Sequence, residues 1–138
     1  MPKRSSYEDG LQRAVIQFLD MRGWRSFHVP NGMRAGGKNP QKTAAIMRGL
    51  GLKKGVPDVI VCEPWQCPPD TTNRLEYLRY EYAHGMGIAM ELKAPGKYPT
   101  PEQREWLIAL AKRGWYPAVC RTIHEATALL ERIVRPLR

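Results

Sequence analysis

Two residues of "GIAMELKAPG" (Gly87–Gly96) are equipped for chemistry. Glu91 and Lys93 stand two positions apart in a run that otherwise reads as a core-bound strand. Alternate side chains of a strand share a face, so Ile88, Met90 and Leu92 point one way and Ala89, Glu91 and Lys93 the other. The two charges would sit about 7 Å apart along the strand. Taken alone, E-x-K describes a strand end entering solvent. "GVPDVIV" supplies a second carboxylate, Asp58, where another short apolar strand begins. Alone it is turn chemistry, because Pro-Asp is a frequent turn or strand-entry pair. If the two strands are sheet neighbours, Asp58, Glu91 and Lys93 meet at one spot. Two carboxylates would hold a hard divalent cation such as Mg²⁺, which takes oxygen ligands and keeps several waters. The cation would lower the pKa of a water and offset charge on a phosphoryl oxygen. The lysine would orient the attacking water or offset charge in the transition state. The substrate of such a set is a phosphodiester.

Two further residues fit. Gln103 lies on the helix expected after the E-x-K strand, in line with Leu107 and Leu110. Helical side chains lean toward the N-terminus, which aims Gln103 at the end of that strand. It also completes a T-x-x-Q capping box with Thr100. Glu8 shares the inward stripe of the first expected helix with Leu11 and Val15, and equally completes an S-x-x-E box with Ser5. Cap and site are both open for each.

The elements that must position these residues follow from pattern. "SSYEDGLQRAVIQFLDMRGW" is a helix ended by Gly23, and "WRSFHV" (Trp24–Val29) a strand. "PNGMRAGGKNP" is a loop, "QKTAAIMRGLGLKKG" a short helix with a glycine-rich exit, and "PDVIVCEP" a strand. "WQCPPDTTNR" reads as a loop, and "LEYLRYEYAHG" fits helix or strand. After the E-x-K strand, "TPEQREWLIALAKRG" is a helix with Thr100 as N-cap and Pro101 at its first position. "WYPAVCR" is a strand, and "TIHEATALLERIV" a last helix capped by Thr122. Helices alternating with strands imply an α/β domain, with a right-handed crossover from Gly87 to Arg121 joining parallel strands.

A chain of 138 residues suits one domain, taken as 1–138. The net charge of +9, from 22 Lys and Arg against 13 Asp and Glu, points to a polyanionic partner, nucleic acid first. Three cysteines without a CxxC pair argue against a disulfide framework or structural zinc. No signal core or run of ~20 apolar residues is present, so a reducing cytosol and no membrane partner are expected.

Glu8, then Gly55-Val56-Pro57-Asp58, then Glu91-Leu92-Lys93, then Gln103 in this order resembles the PD-(D/E)xK nucleases, and more narrowly their VRR-NUC branch, from about Ser5 to Val134. The resemblance implies a restriction-endonuclease-like core, a mixed central sheet flanked by helices, and a Mg²⁺- or Mn²⁺-dependent nuclease. Asp58 and Glu91 would be the metal ligands, Lys93 the catalytic lysine, Gln103 its support and Glu8 the helix-borne acid. Short members of this branch resemble phage or bacterial proteins acting as homodimers on branched DNA such as four-way (Holliday) junctions, leaving 5′-phosphate and 3′-hydroxyl ends. One departure is the 33-position interval from Asp58 to Glu91. Its excess falls at about 64–85, read as an insertion in which Trp65 would be exposed.

Arg34, Lys38, Lys42, Arg48, Lys53 and Lys54 lead into Asp58 among glycines that let backbone amides approach phosphates, a candidate grip on DNA. Lys97, Arg104, Lys112 and Arg113 would extend the track, and His28 would reach the site edge. Contacts to backbone alone would give shape selectivity with strong salt dependence. Two rivals stand beside the DNA endonuclease. One is a non-catalytic basic DNA-binding module in which Glu91–Lys93 is only an ion pair. The other is a nuclease of the same fold acting on RNA or plain duplex DNA.

Overall fold

Ser5 caps the first helix, α1 (Ser6–Arg22), its side chain accepting from the Glu8 N–H, and Gly23 closes it in the left-handed conformation. In the computed structural model, residues 5–30, 40–51, 53–67 and 82–135 are described. After α1 come β1 (Ser26–His28), α2 (Pro40–Gly49), β2 (Val59–Gln66), β3 (His84–Leu92), α3 (Pro101–Ala111), β4 (Tyr116–Cys120) and α4 (Ile123–Ile133). This is the order of elements expected from pattern.

Among the described residues the strands form one sheet in the order β1-β2-β3-β4. The pairs β1–β2 and β2–β3 are antiparallel and β3–β4 is parallel, so the sheet is mixed. The hypothesis that the Asp58 and Glu91 strands are neighbours therefore holds. α3 makes the crossover between the parallel strands.

Two cores follow from strand alternation. Val59, Val61, Ile88, Met90 and Leu92 project onto Leu11, Val15 and Leu19 of α1 and Ala126, Leu130 and Ile133 of α4. The opposite face meets α3, where Leu107, Ala111 and Ile108 pack on Val119. Burying a large aliphatic side chain contributes about 1.5–3 kcal/mol, which makes the first core the main anchor of the sheet. β3 is buried on both faces from Ile88 to Leu92. That explains a near-continuous apolar run broken only by Glu91. By contrast, none of the side chains described on α2 is fully buried, and Ile46 is exposed.

The stretch at 64–85 begins and ends as paired strand, with Pro64 opposite Met86, Trp65 opposite Gly85 and Gln66 opposite His84, after a register shift between Val61 and Pro64. Residues 68–81 lie outside the described residues. The expected exposure of Trp65 is corrected: it is 2% exposed. Its indole N–H donates to the Gly114 carbonyl (3.2 Å), its ring meets Tyr116 edge-on, and it bridges Val134. The prolines around it, Pro64, Pro68 and Pro69, suggested a loop. Pro64, however, lies beyond the end of β1, where its carbonyl accepts from Arg135. A missing N–H there disrupts no ladder to a neighbouring strand.

Candidate active site

The antiparallel registers converge on Asp58. Val59 faces Met90 and His28 faces Val59, and the Val29 N–H donates to the Asp58 carbonyl at 2.8 Å. Extending the β2–β3 register by one position puts Asp58 opposite Glu91. The Asp58 carboxylate accepts from the Leu92 N–H at 2.8 Å through Oδ2. Asp58 is 3% and Glu91 1% exposed, so two carboxylates end buried at the carboxyl end of β3.

Each is held by designated groups. Glu91 Oε1 accepts from Gln103 Nε2 at 2.9 Å and lies 3.9 Å from Lys93 Nζ. That second separation is an ion pair but too long for a hydrogen bond, so the ammonium keeps donors for another group. The Lys93 backbone continues the parallel ladder, donating to the Cys120 carbonyl at 3.0 Å. Gln103 fills both roles left open for it. Its Oε1 accepts from the Thr100 N–H at 2.8 Å, completing the capping box, while its amide nitrogen reaches Glu91. Glu8 makes a different choice. Ser5 caps α1, but the Glu8 carboxylate accepts from the Ala94 N–H at 3.3 Å, beside Lys93. The helix-borne acid thus joins the far end of the E-L-K strand.

The loop carrying Asp58 is fixed against α3. Gly55 has φ +86°, and a Cβ there would lie 2.8–2.9 Å from the backbone of Glu102 and Gln103. Only glycine tolerates both conditions. The Trp106 indole N–H donates to the Lys54 carbonyl at 3.1 Å, and Lys54 Nζ lies 3.4 Å from Glu102. The Glu102 carboxyl is lowered from its ordinary range by its own backbone N–H and then by Lys54. No local sequence signal marks Gly55 or Trp106 as a positioning residue, because both act through a partner about 50 residues away.

The basic track is only partly assembled. Arg34 and Lys38 lie outside the described residues. Lys42 and Arg48 are exposed on α2, and Lys53 is exposed beside the site loop. Lys54 shares its charge with Glu102. Lys97 and Arg104 stand at the site end of α3. Lys112 and Arg113 follow its last turn, about 14 Å down the axis from Gln103 at 1.5 Å per residue. They belong to the other end of α3. His28 is exposed at the end of β1. Cys120 is a core residue whose thiol burial pushes up to about 12.

Among the described residues no group of three or more His, Cys, Asp and Glu side chains is gathered to hold a metal. The donor set is the carboxylate pair Asp58 and Glu91. Two hard oxygen ligands fit a divalent cation that retains most of its waters. A buried ionic cluster of this kind is weak as a stabiliser, since apolar residues of similar volume usually serve a sheet at least as well. It stands at a strand end, with a lysine and an amide converging on one carboxylate.

The α/β sheet thus carries Asp58, the E-x-K pair and a helical glutamine together at one end of its two central strands. The family model described as VRR-NUC domain matches residues 28–123, more than half of the chain, and the chain belongs to that family. A solved structure described as a VRR_NUC domain protein shares the fold with a TM-score of 0.59 at 23% identity, covering 90% of this chain and 84% of that one. A second, described as a VRR_NUC domain, does so at 0.54 and 15%, covering 92% and 97%. No curated protein matches.

Proposed function

We propose that this nuclease is a divalent-metal-dependent endonuclease that hydrolyses DNA phosphodiesters and selects for structure, as at a four-way junction. The observation that carries the reading is Glu91: a buried carboxylate opposite Asp58, bonded to Gln103 and paired with Lys93. Asp58 and Glu91 would hold Mg²⁺ or Mn²⁺. When bound, the cation would ease ionisation of a water and offset charge on the phosphoryl oxygens. The Lys93 ammonium, at the rim and 13% exposed, orients the attacking water and offsets transition-state charge. Gln103 holds the Glu91 carboxylate in one rotamer, and Glu8 fixes the backbone after Lys93. Water oxygen bonds to phosphorus as the P–O3′ bond breaks, and the 3′ oxygen takes a proton, leaving 5′-phosphate and 3′-hydroxyl ends.

The net charge of +9 supports a nucleic-acid substrate. No described helix is long and apolar enough to cross a membrane. Two copies acting together would cut two strands symmetrically, and light scattering checks that dimer. The deciding experiment incubates an end-labelled four-way junction, a flap, a linear duplex and an RNA duplex with protein plus Mg²⁺, Mn²⁺ or EDTA, with Asp58→Ala alongside. Metal-dependent cutting of the junction, lost in Asp58→Ala, supports the reading. Preference for RNA or plain duplex reassigns the substrate. Binding without cutting under either metal leaves a DNA-binding module.

A further inference from the structure

Five positions after Lys93 an exposed aromatic ring is held in place. Tyr98 is 70% exposed, yet its ring lies over the Arg121 guanidinium, 5.1 Å from ring centroid to Cζ. That guanidinium is itself fixed, donating through Nε and Nη2 to the Lys97 carbonyl at 3.0 and 2.8 Å. The Arg121 carbonyl accepts from the Tyr7 hydroxyl at 2.6 Å, and Tyr7 is 44% exposed. Pro99, the next residue along, is buried. Arg121 directly follows Cys120, whose carbonyl holds the Lys93 N–H. The ring is therefore preorganised, and its partner Arg121 directly follows the residue whose carbonyl holds the backbone of the candidate catalytic lysine.

Exposed aromatics are ordinary when they are loose. A ring clamped on one face by a cation and open on the other is a stacking surface, and Lys97 beside it is exposed and basic. We propose that Tyr98, backed by Arg121, stacks an unpaired base flanking the scissile phosphate. This favours DNA in which pairing is broken or opens next to the cut, as at the exchange point of a junction. The proposal rests on the DNA nuclease reading above. Fully paired DNA keeps its bases stacked inside the duplex and offers this ring no face.

The test compares two DNAs of one sequence, a fully paired duplex and one with unpaired nucleotides at the cut, the latter carrying 2-aminopurine at the flanking position. Tyr98→Ala is expected to lower kcat/KM on the unpaired DNA by roughly 10- to 100-fold, the size of one lost stacking contact. The fully paired duplex should be cut as by wild type, and the 2-aminopurine quenching seen with wild type should disappear. Tyr98→Phe should behave as wild type. Tyr98→Leu, which keeps bulk without a π face, should behave as Tyr98→Ala and covers the case of a loosened loop. Equal rates for Tyr98→Ala and wild type on both DNAs, or an equal loss on both, overturns the platform alone. A wild-type protein that cuts neither DNA but does cut a four-way junction overturns the platform alone; one that cuts none of the three overturns the nuclease reading and the platform with it.

Discussion

Lys93, Gln103 and Glu91 can be separated by substitution because their contacts differ in kind. Lys93 is held by one long ion pair and contributes little to the core. Lys93→Ala should lower the cleavage rate by about 10²–10⁴ while leaving the circular dichroism melt unchanged; near-normal cleavage would refute its role. Gln103 is both cap and site residue, so a single variant confounds the two. Thr100→Ala separates them. It removes the hydroxyl that accepts from the Gln103 N–H but leaves the Gln103–Glu91 bond available. It should cost about 1 kcal/mol of stability and little activity. Gln103→Ala should cost similar stability and a further tenfold or more in rate. Parallel losses of rate in both variants would reduce Gln103 to a cap.

At the scale of elements the critical join is the Asp58 loop against the first turn of α3. Two glycines with positive φ give the comparison. Gly23, at φ +71°, has open space around a built Cβ, whereas Gly55, at φ +86°, would press on α3 backbone. Gly23→Ala should cost about 1–2 kcal/mol, the left-handed backbone term alone. Gly55→Ala should cost more in denaturant melts and also lower cleavage, because α3 and its Gln103 must shift away from Asp58. Equal melts for the two variants, with full activity, would mean the loop position is unimportant to the site. The order of elements and the caps were legible in sequence, since periodicity and capping are local signals, whereas the pairing of the Asp58 and Glu91 strands entered only as a condition that the structure meets. Less legible was anything set by a distant partner. Glu8 looked like half of a capping box until its carboxylate was seen on Ala94, 86 positions away. Trp65 looked like loop because its neighbours are prolines, while its burial comes from Tyr116, Gly114 and Val134. Tyr98 carried no signal at all, since Arg121 reaches it from the next strand.

For the whole molecule, charge is divided between the two ends of α3 as well as summed. The site end carries Lys53, Lys93, Lys97 and Arg104, and the far end Lys112 and Arg113. If DNA lies across the carboxyl end of β3, only the first group displaces counterions from phosphates. The logarithm of the binding constant should fall with the logarithm of salt concentration by about 0.9 for each phosphate neutralised. Lys53→Ala and Lys97→Ala should each weaken binding and flatten that slope by about one phosphate's share. Lys112→Ala and Arg113→Ala remove the same charge some 14 Å away along the helix and should leave the slope intact. Fluorescence anisotropy with labelled junction DNA between low and moderate salt measures both pairs under identical conditions. A slope that responds equally to all four substitutions would mean that DNA senses only net charge. A slope that responds only at the far end would place the nucleic acid at the far end of α3, away from Asp58, Glu91 and Lys93.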